Sequence, residues 1–205
     1  MYTYFHMKYR IGIDEVGRGP IAGPVVVCAC AVLQDTDVLS LYPKSVLRDS
    51  KKLSEKAREK IRNEIEVKNQ SREILWGIGE ISASRIDEVG IVPAIKEALN
   101  EALTQLEKSG VDITTEVVLD GGLTAPERYL YQETYIKGDE KFVEISLASI
   151  IAKVYRDNLM KGLAREFPEY GFENHVGYGT KVHYEAITRN GMTIHHRRSF
   201  LKKLS

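Results

Sequence analysis

The chain has no long apolar run, only two cysteines, one tryptophan and no surplus of charge of either sign. No stretch approaches the ~20 apolar residues that a membrane-spanning helix needs, so no membrane role is expected. The opening residues, Met1-Tyr-Thr-Tyr-Phe-His-Met-Lys-Tyr-Arg10, lack the succession of basic, apolar and small-residue segments of an export signal. A cytoplasmic protein is the expectation. Cys28 and Cys30 sit two residues apart in an apolar run. On a strand they share a face and are poorly placed to bridge each other, and no further cysteine completes a zinc set. They read as buried, reduced thiols acting as small apolar residues. Lysine plus arginine number 29 and aspartate plus glutamate 29. That balance excludes a uniformly basic coat for nucleic acid but leaves room for a local patch. Cations do cluster, at Lys44, Arg48, Lys51 and Lys52, at Lys153 and Arg156, and at His195-His-Arg-Arg198 with Lys202 and Lys203. Taken singly, each cluster reads as solvated surface.

What is present suits one α/β domain spanning residues 1–205. At 43% hydrophobic and 28% charged the composition is that of an ordinary globular chain, and 205 residues are enough to bury a real core. There are no repeats, low-complexity tracts or proline-rich linkers. Residues 8–14 and 23–33 read as strands joined by a Gly-Pro turn region over 17–24. Ser54 caps a charged helix to about residue 68, and 73–81 is a third strand. Behind Pro93, the spacing of Ile95, Ala98, Leu99, Ala102, Leu103 and Leu106 follows the helical period. Glu116-Val-Val-Leu-Asp120 is a short strand, and 134–136 another. A long helix covers about 144–166 and a last one about 181–189, so the C-terminal region from about 168 to 205 is a small helical extension. This order predicts a central mixed β-sheet flanked by helices. Ligands of such folds gather at the C-terminal ends of strands, where Asp14, Glu15 and Asp120 fall.

The densest chemistry lies in Ile11-Gly-Ile-Asp-Glu-Val-Gly-Arg-Gly19. Two adjacent acids close an apolar run, and neighbours on a strand face opposite ways, so one should point inward unless a cation needs both. The glycines that follow allow close backbone approach to a ligand. An exposed turn with ordinary charges is the bland alternative. On the helix 144–166, Ser146, Ser149, Lys153 and Asp157 recur at steps of three, four and four, within a stripe of roughly 80°. Asp157 falls near Ile150 on the helical wheel and so points toward the interior. A solvated Lys153–Asp157 pair explains the spacing equally well. Asp14, Glu15, Asp120 and Asp157 together form an all-oxygen set suited to Mg²⁺ or Mn²⁺. Gathered in one place they would repel one another unless cations neutralised them. Two ions about 4 Å apart can activate water and stabilise a leaving oxygen in phosphodiester hydrolysis.

Several segments, in order and over about residues 10–200, resemble type 2 ribonuclease H (ribonuclease HII). They are Gly12-Ile-Asp-Glu-Val-Gly-Arg-Gly-Pro-Ile-Ala-Gly-Pro24, Asp49-Ser-Lys-Lys-Leu-Ser54, Leu119-Asp-Gly121, Ile136-Lys-Gly-Asp139, Ser146-Leu-Ala-Ser-Ile-Ile-Ala-Lys-Val-Tyr-Arg-Asp157, Gly177-Tyr-Gly-Thr-Lys181 and His196-Arg-Arg-Ser-Phe200. The Lys-Gly-Asp and Arg-Arg-Ser-Phe segments resemble the bacterial branch most.

The resemblance implies a ribonuclease H-like fold and Mg²⁺- or Mn²⁺-dependent cleavage of RNA in RNA–DNA hybrids and of ribonucleotides embedded in duplex DNA. Cutting would fall 5′ of the ribonucleotide, leaving 3′-hydroxyl and 5′-phosphate ends, by a monomeric enzyme of ribonucleotide excision repair and replication. Asp14, Glu15, Asp120 and Asp157 would be the metal-binding catalytic acids. Gly17, Arg18 and Gly19 would recognise the ribonucleotide largely through backbone contacts to the 2′-hydroxyl, the group that separates RNA from DNA. Tyr178 would meet the same sugar and stack on the next deoxyribose. Lys51, Lys52, Ser149 and Lys153 would bind or orient phosphates. His183, His195 and His196 are given surface or packing roles. The chain departs from the family pattern at Val176, where lysine is usual, at Gly90, where asparagine is common, and at Gly191-Met-Thr-Ile-His195, where the turn is usually richer in proline. Ribonuclease HIII and a catalytically silent hybrid-binding module are the alternatives.

Overall fold

The structure is a computed structural model that describes residues 9–34, 36, 38 and 53–202. Its strands are β1 (Tyr9–Val16), β2 (Val25–Leu33), β3 (Ile74–Ile81), β4 (Glu116–Asp120) and β5 (Gln132–Tyr135). Its helices are α1 (Glu55–Gln70), α2 (Ala83–Val89), α3 (Ile91–Lys108), α4 (Val143–Glu166), α5 (Phe172–His175) and α6 (Lys181–Asn190). The sheet order is β3-β2-β1-β4-β5. β1 pairs antiparallel with β2, and β2 with β3, whereas β1–β4 and β4–β5 are parallel. The sheet is therefore mixed, as expected.

Side chains of β2 are buried on both faces, which is why this strand reads as a continuous apolar run. On one face Ile11, Ile13, Val25, Val27, Ala29 and Ala31 meet Ala94, Ala98, Leu99, Ala102, Leu103 and Leu106 of α3. On the other, Val26, Cys28 and Cys30 meet Ile61 and Ile65 of α1 and Leu147, Ala148, Ile150 and Ile151 of α4. Each fully buried leucine or isoleucine contributes roughly 1.5–3 kcal/mol. A third cluster joins Ile21 and Ala22 of the β1–β2 connection to Met160 and Ala164 of α4 and to Tyr170, Phe172, Ala186, Ile187 and Leu201. That cluster ties the C-terminal helices to the loop that follows the first two acids. Both cysteines are free and buried, and burial raises the pKa of both thiols. Among the described residues no helix is long and apolar enough to cross a membrane.

Several elements differ from expectation. β1 runs on to Val16, so Asp14 and Glu15 are strand residues paired with Cys28 and Val27. β5 ends at Tyr135 because Lys137 takes a left-handed φ of 55°, leaving Ile136 exposed. The helix α2 has seven residues, too few for its period to show in sequence; Ser82 caps it by accepting the Arg85 amide.

β1 crosses α4 at very short range. A Cβ on Gly12 would lie 2.2 Å from the Glu144 carbonyl carbon and 2.3 Å from the Ile145 nitrogen. Neither backbone can yield without moving the strand that carries Asp14. Gly12→Ala is expected to lower unfolding free energy by about 2–3 kcal/mol, seen as a lower urea midpoint. An unchanged midpoint would contradict this packing.

Candidate functional site

The parallel pairing of β1 with β4 stops at Ile13↔Leu119, and β1 continues past it. By this register Asp14 is level with Asp120, the last residue of β4, and Glu15 lies just beyond it. A cavity of about 520 Å³ opens there. It is lined by Asp14, Glu15 and Asp120, by Gly17, Arg18 and Gly19, by Ser149 and Lys153 of α4, and by Tyr178 and Arg58. Both adjacent acids border it although they stand on opposite faces of the strand, because each lies at the sheet's end.

Asp14 is buried and accepts the Glu15 amide at 2.8 Å. Its pKa rises from 3.8 to about 7, chiefly through burial, with the Ser149 hydroxyl opposing the shift and the charges of Glu15 and Asp120 adding to it. Glu15 is also raised by burial, against the nearby Arg18 guanidinium at 3.5 Å. Asp120 accepts the Gly138 amide at 2.6 Å, which fixes it against the turn after β5. Asp157 does not itself line the cavity. Its carboxylate takes Lys153 Nζ at 2.5 Å and lies 3.8 Å from Arg58, and both of these cations do line it. Lys51 and Lys52 lie outside the described residues.

Two cations expected at the surface are interior. Arg156 is 1% exposed and Arg197 0%. Arg156 donates to Pro24 O (2.9 Å), Ala22 O (3.1 Å) and Val176 O (2.9 Å). Arg197 donates to Gly23 O (3.0 Å), Arg18 O (3.1 Å) and Gly17 O (2.6 Å). Burial lowers both guanidinium pKa values, Arg156 to about 10 and Arg197 to about 9. The signal in the sequence is one of spacing. Ala152, Arg156, Met160 and Ala164 recur every four residues along one buried stripe of α4, a place where an arginine needs partners. Asp87 was likewise not singled out. It accepts the Arg198 and Ser199 amides at 2.8 and 2.9 Å and so fixes the turn that carries Arg197.

Tyr178 is 49% exposed, and its ring lies 3.7 Å from where a Cβ on Gly19 would stand. Three buried histidines hold its loop. His183 Nδ1 donates to Tyr178 O at 2.8 Å, and its Nε2 accepts from His196 Nε2 at 3.1 Å. His196 Nδ1 accepts the Thr193 amide, and His175 Nδ1 the Gly177 amide. Burial lowers the pKa of His183 and His196 to about 4, so both rings are neutral at pH 7. The packing role expected of these two holds. Val176 adopts φ 42°, ψ 37°, a left-handed conformation rare for a β-branched residue, while Arg156 holds its carbonyl. Gly90 has φ 86° between α2 and α3, a conformation suited to glycine.

The family model for ribonuclease HII matches residues 11–203. Ribonuclease HII of Bacillus thuringiensis (strain Al Hakam) is 45% identical over 194 residues, covering 95% of this chain and 69% of that protein. The chain belongs to the ribonuclease HII family. Membership makes it a metal-dependent endonuclease of the ribonuclease H type, a hydrolase acting on RNA–DNA hybrids. Its fold is similar to that of the RNase HII in the PCNA:RNase HII complex from Archaeoglobus fulgidus. The TM-score is 0.71 at 29% identity, covering 92% of this chain and 93% of that one. Ribonuclease H2 from Pyrococcus horikoshii OT3, at 24% identity, shares the fold with a TM-score of 0.70 over 96% of both chains.

The residues present fit the divalent metal on which this family depends. The three lining acids offer only oxygen donors, and the raised Asp14 pKa reflects burial and repulsion that a cation relieves. Among the described residues no three Asp, Glu, His or Cys side chains are already drawn into a preformed metal-binding group. The acids border the cavity, and the ion itself would draw them together.

Because Asp14 is raised in the folded state, the folded protein keeps a proton that the unfolded chain releases between 3.8 and about 7. Stability therefore falls as pH rises through that window, by up to about 1.4 kcal/mol per pH unit. In EDTA, Asp14→Asn is expected to be more stable than the parent at pH 8 by about 1–3 kcal/mol. That advantage shrinks toward pH 5. A difference independent of pH in urea titrations would contradict the assignment.

Proposed function

We propose that this chain cuts on the 5′ side of ribonucleotides embedded in duplex DNA, as well as within RNA–DNA hybrids, leaving 3′-hydroxyl and 5′-phosphate ends. One observation carries the reading: three acids share a single cavity with the Gly17-Arg18-Gly19 loop and Tyr178. An acidic pocket alone would repel a phosphodiester. One walled by a glycine-framed loop, an aromatic ring and two lysine or arginine side chains from α1 and α4 suits a nucleic-acid strand brought to a metal.

In this reading Asp14, Glu15, Asp120 and Asp157 hold two Mg²⁺ or Mn²⁺ ions, which when bound supply activation of water and charge neutralisation at the leaving oxygen. Asp14 and Glu15 reach the site from one strand end and Asp120 from the next, so the sheet sets their separation. Asp157 is held beside the cavity by Lys153 and Arg58. Lys153 and Ser149 lie on the same wall and orient the phosphate; Lys51 and Lys52 would add to that binding. Gly17, Arg18 and Gly19 contact the 2′-hydroxyl through their backbone. Tyr178, beside Gly19, packs on the sugar that follows and senses the RNA–DNA junction. No serine or cysteine nucleophile is needed.

The test is cleavage of end-labelled duplex DNA carrying one ribonucleotide, with Mg²⁺, Mn²⁺ or EDTA. A single metal-dependent cut 5′ of the ribonucleotide is expected, with none in an all-DNA duplex. Cutting of long hybrid only would favour ribonuclease HIII-like behaviour, and binding without cutting would favour a silent module. Tyr178→Ala should lower kcat/KM on the single-ribonucleotide duplex by about tenfold or more, near 1.4 kcal/mol. An equal loss on uniform hybrid would count against a junction role.

A further inference from the structure

We infer that Arg197 is the positioning residue that turns the Gly17-Arg18-Gly19 backbone so that its amides face the cavity, and that it thereby sets the preference for ribose over deoxyribose. The inference rests on the proposed reading of that loop as the ribonucleotide contact.

The argument starts from peptide geometry. In a planar trans peptide the C=O and the following N–H point to opposite sides, and no described peptide bond is cis. Arg197 Nη2 donates to Gly17 O at 2.6 Å and Nη1 to Arg18 O at 3.1 Å. Both carbonyls therefore point inward at the guanidinium, and the N–H groups of Arg18 and Gly19 point outward. All three loop residues line the cavity. Among the described residues neither of those amides donates to another backbone group. Two successive donors on one side make a small concavity for a lone pair or partial negative charge. A ribose 2′-oxygen fits that description and a deoxyribose offers nothing to it.

The anchor is specific to arginine. Its planar fork meets three carbonyls at once, with Nε taking Gly23 O at 3.0 Å; a lysine ammonium has no such fork. Arg197 has no carboxylate within ion-pair distance among the described residues. Apart from the Phe200 ring 5.3 Å from the guanidinium, the charge is met by one loop's carbonyls; stability explains that poorly, since an apolar residue of similar volume often fills such a site at lower cost. Asp87 completes the device by gripping the amides of Arg198 and Ser199, so the guanidinium enters from a fixed turn.

The test compares the parent with Arg197→Lys and Asp87→Asn, measuring affinity in EDTA for duplex DNA with one ribonucleotide and for the all-DNA duplex. Arg197→Lys is expected to lower the ratio of the two affinities at least tenfold while leaving all-DNA affinity within twofold. Mn²⁺ binding by calorimetry should stay unchanged, a combination that a loosened fold would not give. Asp87→Asn should lower the ratio in the same direction, and it decides the matter if Arg197→Lys does not fold. An unchanged ratio, or equal loss on both duplexes, overturns the inference. If the parent itself shows no ribonucleotide preference, the reading of the loop fails instead.

Discussion

Two guanidinium groups without a carboxylate partner among the described residues, Arg156 and Arg197, hold the connection between β1 and β2 in one shape. Desolvating each costs several kcal/mol. Three hydrogen bonds to a charged donor, at about 1.5–3 kcal/mol each, are of the same order. The balance closes only if every carbonyl stays in place, which makes the loop all-or-none. A Cβ on Gly17 would come within 2.3 Å of Arg156 Nε, so the loop and its anchor fit without slack. One end of that loop carries Asp14 and Glu15, and its middle lines the cavity. The C-terminal helices close it from below, because Arg156 also holds Val176 and Arg197 comes from the turn at 198–200.

The acids and this loop solve opposite problems. Asp14, Glu15 and Asp120 border one cavity at a cost, visible in the raised Asp14 and Glu15 pKa values, which a bound cation would relieve. The carbonyls of the loop and of the Tyr178 turn are bonded beforehand. His183 and His196 under Tyr178 are neutral, and the hydrogen bonds of His175, His183 and His196 fit one consistent set of tautomers. In the proposed reading the site combines a soft half that a metal would complete with a stiff half that would receive a sugar. Such preorganisation lowers the ordering cost of binding.

Much of this was legible in the sequence. The period of Ile95 to Leu106 marked the face of α3 that covers the sheet, and the short apolar run ending at Asp120 marked a strand end. Of the stripe Ser146, Ser149, Lys153 and Asp157 on α4, Ser149 and Lys153 line the cavity, whereas Ser146 is buried and Asp157 stops short of lining it. What stayed hidden was non-local. Arg156 and Arg197 stand among surface-like cations in the sequence, and only their carbonyl partners far along the chain reveal them as interior. Asp87 gave no signal, since a short helix with ordinary charges surrounds it. The strain at Val176 depends on a backbone turn that no propensity forecasts.

The most direct measurement is anomalous scattering from crystals of the Mn²⁺-loaded protein bound to a duplex with one ribonucleotide. The account predicts manganese peaks between Asp14, Glu15, Asp120 and Asp157, with the ribose 2′-oxygen opposite the amides of Arg18 and Gly19. Manganese bound elsewhere, or a loop whose carbonyls face the sugar, would contradict it.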